Sequence, residues 1–200
     1  MPVEHLLDDL PSEKLVLASR SPRRAEILTA VGWPFEMMAS NIDETRFKSE
    51  SAVSYVRRLA QAKAEAVARI ATSGLVVGAD TVVVVEDQIL GQPSDADDAR
   101  RMLKILSGRW HEVLTGVALM HAGKNSLVVE HEKTRVRFTE MSAAEIDWYV
   151  GTGEPMDKAG AYAVQGRAAL FIEEVQGDYF NIVGLPIRLL YKLMRQIQAV

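Results

Sequence analysis

The segment LVLASRSPRRAEILTAVG, residues 15–32, confines the start of the fold to a strand that turns directly into a helix. Leu15-Val16-Leu17-Ala18 is a short apolar run of the kind that forms a buried strand, and the Ser-Arg-Ser-Pro after it predicts a turn into a helix. Ser21 is expected at the N-cap and Pro22 at the first helical position, where a missing N–H costs nothing. Ala25, Ile27, Leu28 and Val31 then supply an apolar face, and Gly32 ends the helix. Strands and helices continue to alternate. A helix is predicted from about Ser51 to Ala71, followed by a valine-rich strand pair, GLVVGADTVVVVEDQILGQP, with Glu86-Asp87-Gln88 as its hairpin turn. A helix capped by Ser94 leads into strands whose turn at Ala122-Gly123-Lys124-Asn125 implies an antiparallel meander. A helix with the capping box Ser142/Glu145, a Gly-rich loop, a strand region AALFIEEV and a helix opened by Pro186 complete the chain. Together these elements argue α/β with a mixed sheet, not a purely parallel doubly wound one.

Composition narrows the function. Two hundred residues, 48% hydrophobic, can bury a sizeable core as one domain or two closely packed lobes. A formal charge of −4 and a pI near 5.6 argue against a sequence-independent nucleic-acid binder. The absence of cysteine excludes disulfides and thiolate sites and fits a reducing, cytoplasmic setting. The acidic N-terminus does not read as a signal peptide, and no apolar run reaches the roughly 20 residues of a membrane span. A homodimer is compatible with the sequence, which does not fix the oligomeric state.

Three placements stand out. Arg23 and Arg24 occupy the first turn of the first helix, where the macrodipole disfavours a cation by roughly 0.3–1 kcal/mol each. The later helices put Asp95, Asp97 and Asp98, or Glu145, at that end. The arginines make sense if an anion sits there, held by free N–H groups, serine hydroxyls and guanidinium groups, and a phosphate is the obvious candidate. In the long helix, Val53, Val56, Leu59, Ala60, Val67 and Ile70 mark an apolar stripe at i, i+3, i+4, i+7 spacing, and Lys63 falls inside it. Lys63 is either a lysine that snorkels past the core edge or an ammonium aimed into a cleft as a phosphate ligand. In LVVGADTVVVV, Asp80 interrupts an apolar run. It is either a turn aspartate or a carboxylate that must be hydrogen-bonded, metal-bound or at an exposed strand end. Asp43 and Glu44 lie in a polar loop where solvated acids are usual, yet with Asp80 they would supply the oxygen ligands Mg²⁺ prefers beside a polyphosphate. The histidines His5, His111, His121 and His131 have no ligand spacing and read as structural or surface.

The motifs LASRSPRRAEIL, IDE, LAQAKA, GADTVV, DKAGAYAVQG and VGLP, in this order, resemble the Maf family of nucleoside triphosphate pyrophosphatases from about Leu15 to the last helix. The resemblance implies an elongated, twisted mixed sheet flanked by helices, with two lobes around a deep cleft, similar to the inosine triphosphate pyrophosphatases. It implies a single domain over residues 15–200, with residues 1–14 as an N-terminal extension. It makes Asp80 the base, Glu44 a metal or water-positioning acid, and Lys63 a catalytic-site cation, with Glu44 and Asp80 holding a divalent cation, Mg²⁺ or Mn²⁺. Ser19, Arg23, Arg24, Lys63 and Lys158 become triphosphate ligands. Arg23, Thr81 and Gln165 match positions associated with base choice in the dTTP/UTP branch. Gln92 stands where the family commonly has lysine, which removes a cation from the substrate site. The implied reaction is hydrolysis between the α- and β-phosphates of dTTP, UTP or modified pyrimidine nucleotides. The alternative is a nucleotide-binding regulator of cell division without turnover; the carboxylates count against it, since a pure triphosphate binder gains nothing from them.

Overall fold

A computed structural model describes residues 13–124 and 126–198. Residues 1–12 of the expected extension and Asn125 of the expected turn lie outside the described residues. In chain order the elements are β1 (Leu15–Leu17), α1 (Pro22–Ala30), β2 (Phe35–Met37), α2 (Ala52–Ala68), β3 (Leu75–Val85), β4 (Gln88–Leu90), α3 (Ala96–Leu106), β5 (Trp110–His121), β6 (Leu127–Phe138), α4 (Ala143–Gly151), β7 (Ile172–Gln176), α5 (Tyr179–Val183) and α6 (Ile187–Gln198). The strands form one open mixed sheet, ordered β2-β1-β3-β5-β6-β7, with β4 paired to β3. β1 runs parallel to β2 and β3, and the remaining pairs are antiparallel, including the β5-β6-β7 meander.

Several local expectations shift. The helix after the β3–β4 hairpin is capped by Asp95, not Ser94: the Asp95 carboxylate accepts from the Asp98 amide at 2.8 Å, while Ser94 donates its own amide to Asp98. α2 ends at Ala68, so Ile70 lies beyond it and is exposed. Only the second half of AALFIEEV is strand, because Arg167–Phe171 forms a 3₁₀ turn. Gln88 belongs to β4; the hairpin turn is Glu86-Asp87, both with positive φ, as a tight two-residue turn requires. The Ser142/Glu145 capping box forms as expected.

Side-chain alternation along β3 organises the molecule. Leu75, Val77 and Ala79 pack into a core with Ile27 and Leu28 of α1 and Leu190 and Leu193 of α6. Further along the same face, Val83 and Val85 join a second core with Leu103 and Leu106 of α3 and Tyr149 of α4. Thr81 lies between the two cores, so the lobes part at the middle of the strand. The opposite face carries Val76 and Val82 and is covered by α2. There the helix backbone lies directly on the sheet: a Cβ at Gly78 would overlap the Ala60 carbonyl oxygen, and one at Gly116 the Val56 carbonyl oxygen. Successive turns of α2 therefore rest on β3 and β5, and the next turn delivers Lys63 onto Asp80.

Because backbone meets backbone at Gly116, no rotamer change relieves an added methyl. Gly116→Ala should lower the unfolding free energy by roughly 1–3 kcal/mol or more. Denaturant unfolding checks this, and a midpoint equal to wild type would show that the close approach is not needed.

Candidate active site

All but one of the site candidates line one cavity of about 680 Å³ between the two lobes: Ser19, Arg23 and Arg24 from one rim, Glu44 and Lys63 from the α2 side, Asp80 and Thr81 from β3, and Gln92, Lys158 and Gln165 from the opposite rim. Asp43 is absent from this lining; its carboxylate accepts from the Thr45 amide at 2.8 Å and stabilises its own turn.

Lys63 does not snorkel. It is 8% exposed, and its ammonium donates to Asp80 Oδ1 at 2.7 Å and sits 2.9 Å from Glu44 Oε1. Asp80, 7% exposed, is therefore a buried carboxylate with a partner and not a turn residue. Burial pushes its pKa up, the charges of Lys63 and then Arg24 pull it down, and Glu44 pushes it up again. Tyr55 of α2 holds the loop carrying Glu44 by donating its hydroxyl to the Glu44 carbonyl at 2.8 Å.

The first turn of α1 bears out the anomaly. Ser21 occupies the N-cap position but makes no side-chain capping bond, and no acid lies in the turn. Its amide donates instead to Ser19 Oγ. The Arg24 guanidinium is fixed by three acceptors, Gly184 O at 2.8 Å, Ser19 Oγ at 3.2 Å and Thr81 Oγ1 at 3.2 Å. Burial lowers its pKa and the Asp80 charge counters that. Thr115 donates to the Asn181 carbonyl, so the single hydroxyl hydrogen of Thr81 goes to Thr115 and Thr81 meets Arg24 as an acceptor. Arg23 reaches across the cavity mouth to Asp157, bonding its carboxylate at 3.1 Å and its carbonyl at 3.2 Å. Lys158 pairs with the same carboxylate, and Gln92 donates to the same carbonyl at 3.2 Å. The Gln165 amide makes no side-chain hydrogen bond among the described residues.

Glu154 and Tyr162 shape that far rim. Glu154 accepts the Arg167 amide and the Tyr149 hydroxyl, and the Tyr149 oxygen accepts the Ala163 amide. Tyr162 lines the cavity and hydrogen-bonds His111 Nε2 at 2.9 Å beneath it. Sequence reasoning missed Tyr55, Arg46 and Asp157 as cavity residues. Asp157 carried a signal, adjacency to Lys158; the other two carried none.

Among the described residues no group of three or more His, Asp or Glu could hold a metal by itself. Glu44 and Asp80 nonetheless converge on one cation, and Asp80 Oδ2 and Glu44 Oε2 make no hydrogen bond among the described residues. Two carboxylates with free oxygens suit Mg²⁺ or Mn²⁺ when phosphate oxygens and water complete the shell.

Fold and site together define an α/β protein with a cleft for a polyanion: six cations, Arg20, Arg23, Arg24, Arg46, Lys63 and Lys158, face three carboxylates. Residues 14–197 match the family described as Maf-like protein, and the chain belongs to that family. A protein of Symbiobacterium thermophilum named dTTP/UTP pyrophosphatase is 49% identical over 184 residues, 92% of this chain and 94% of that one. A protein of the same name from Moorella thermoacetica is 51% identical over 87% of this chain and 90% of its own length. The structure of the Staphylococcus aureus Ham1 protein shares the fold, with a TM-score of 0.54 at 13% identity over 92% of this chain and 99% of that one. No helix among the described residues is long and apolar enough to cross a membrane.

The buried His111 gives the far rim a pH signature. Desolvation lowers its pKa from 6.5 to about 4. The unfolded chain thus binds a proton that the folded one refuses between these values, and stability is lost as pH falls through that window. By pH 4 the loss should reach roughly 3 kcal/mol relative to His111→Gln, which does not titrate. Unfolding of both proteins at pH 7 and pH 4 measures it; a pH-independent difference would contradict the burial of a neutral imidazole.

Proposed function

We propose that this protein hydrolyses pyrimidine nucleoside triphosphates, dTTP and UTP foremost, to the monophosphate and pyrophosphate. The observation that carries the proposal is a buried carboxylate, Asp80, held on Lys63 at the floor of a cation-lined cleft. A site for binding alone gains nothing from an anion at its centre. The relatives named dTTP/UTP pyrophosphatase, about half identical over nearly the whole chain, supply the direction of base preference.

In this reading Lys63 offsets part of the cost of burying the Asp80 carboxylate, whose pKa stays above the ordinary value chiefly through burial, and Asp80 orients a water toward the α-phosphorus and accepts its proton. Glu44 and Asp80 would hold the divalent cation, which when bound neutralises phosphate charge in the attack. Arg24 arrives pre-oriented by Gly184, Ser19 and Thr81, so little ordering remains when it meets a phosphate. Arg23 and Lys158, released from Asp157, meet the triphosphate from the other rim. The Gln165 amide offers both a donor and an acceptor, which matches the alternating carbonyl and N3–H edge shared by thymine and uracil. Thr81, engaged with Arg24, acts on base choice through that arginine. Gln92 adds a neutral donor to the Asp157 carbonyl and no charge to the site.

Turnover of dTTP should release pyrophosphate, should stop in excess EDTA, and should exceed turnover of GTP or ATP by about tenfold or more in kcat/KM, the scale of unpaired polar groups against the wrong base. Asp80→Asn should lower kcat at least about a hundredfold with dTTP still bound. Primary release of orthophosphate, or near-normal turnover by Asp80→Asn, would overturn the proposal. Gln165→Ala should flatten the base ranking; a preserved ranking would remove Gln165 from base choice.

A further inference from the structure

The cations of the cleft divide by partner. Lys63 is neutralised by Asp80 and Glu44, and Arg23 and Lys158 share Asp157. Arg24 is bound only by neutral acceptors at the cleft floor, and Arg20 donates to the neutral Asn41 Oδ1 at 2.9 Å. Arg46 makes no ion pair among the described residues, though its charge reaches the Glu50 carboxylate: its Nε and Nη2 both donate to the Glu50 carbonyl, at 3.1 and 2.6 Å. Its Nη1 has no hydrogen-bond partner among the described residues. Arg46 lines the cavity beside Glu44 and Tyr55, on the loop that brings Glu44 to Lys63.

That position matters for the leaving group. In the proposed reaction, a substrate with its base at Gln165 and its α-phosphate at Asp80 would direct its β- and γ-phosphates toward the Glu44 side of the cleft. The departing pyrophosphate would gain negative charge there, next to two carboxylates that repel it. Resting on the proposed pyrophosphatase reaction, we infer that Arg46 is a further substrate-binding residue, which holds the β,γ-phosphate end and the pyrophosphate it becomes. The backbone carbonyl of Glu50 fixes the guanidinium plane without cancelling its charge, an arrangement that leaves it strongly attractive to phosphate.

The loop has a second brace besides Arg46. Arg58 of α2 bonds both Glu50 carboxylate oxygens, at 2.7 and 2.9 Å, and the Thr45 carbonyl at 3.1 Å. Its guanidinium also stacks 4.0 Å from the Phe47 ring centre. Binding and bracing can therefore be separated by mutation.

The test is calorimetric binding of pyrophosphate and of dTMP to wild type, Arg46→Ala, Arg46→Lys and Arg58→Ala. Arg46→Ala should weaken pyrophosphate binding about tenfold or more, the scale of a lost charge-assisted contact, and leave dTMP binding within about twofold. Arg46→Lys should recover part of the loss, and the KM for dTTP should follow pyrophosphate affinity. Arg58→Ala should weaken both ligands together through the displaced loop. Unchanged pyrophosphate affinity in Arg46→Ala, or parallel loss of both ligands as in Arg58→Ala, would overturn the assignment. Because pyrophosphate binding is read without turnover, a wild type that fails to produce it from dTTP would sink the parent proposal, while the Arg46→Ala titration decides separately whether Arg46 holds pyrophosphate.

Discussion

The molecule depends on one close approach, the backbone of α2 lying against β3 and β5 where Gly78 and Gly116 carry no side chain. A Cβ at Gly78 would overlap the Ala60 carbonyl oxygen and one at Gly116 that of Val56, so any side chain at either position would push the helix off the sheet. Lys63 would rise with it, and Asp80 would be left buried without its ammonium, an arrangement that costs several kcal/mol. A packing constraint in the sheet thus sets the electrostatics of the cleft. Asp80 lies on the α2 side of β3 and Thr81 on the other, because alternate residues of a strand face opposite ways. One strand thereby brings a carboxylate to Lys63 and a hydroxyl to Arg24.

The remaining cleft groups are held in place by partners that an anion can replace or supplement. Asp157 stands as an internal anion between Arg23 and Lys158, tying one rim to the other across 134 residues of sequence. Arg24 is fixed by neutral oxygens and Arg46 by a backbone carbonyl, so both keep their charge. Arg24 and Arg46 are therefore already oriented, and in the proposed reaction their work is to meet charge developing on the phosphates with little reorganisation, whereas Arg23 and Lys158 must first leave Asp157.

Much of this was legible residue by residue, and the limits have physical causes. The period of α2 put Lys63 on the buried stripe, and the apolar run put Asp80 where it needed a partner. That each is the other's partner follows from how the helix seats on the sheet, which no local pattern encodes. The arginines of the first turn pointed to the cavity that they line, but that Arg23 meets Asp157 of a distant 3₁₀ segment was not legible. Ser94 and Asp95 are both good caps, and the charged acceptor took the role. AALFIEEV was ambiguous because a short apolar run suits a strand and a tight turn alike. Arg46 and Tyr55 sit in or against a polar loop without periodicity, where only the folded contacts distinguish a cleft residue from a solvated one.

The central claim is that Lys63 and Asp80 act as one unit, created by the packing of α2 on the sheet. A double-mutant cycle in kcat/KM for dTTP, built from Lys63→Met, Asp80→Asn and the double mutant, tests it most directly. If the pair is a unit, the double mutant loses little more activity than the worse single mutant. If the two losses multiply, the residues act independently and the account is wrong.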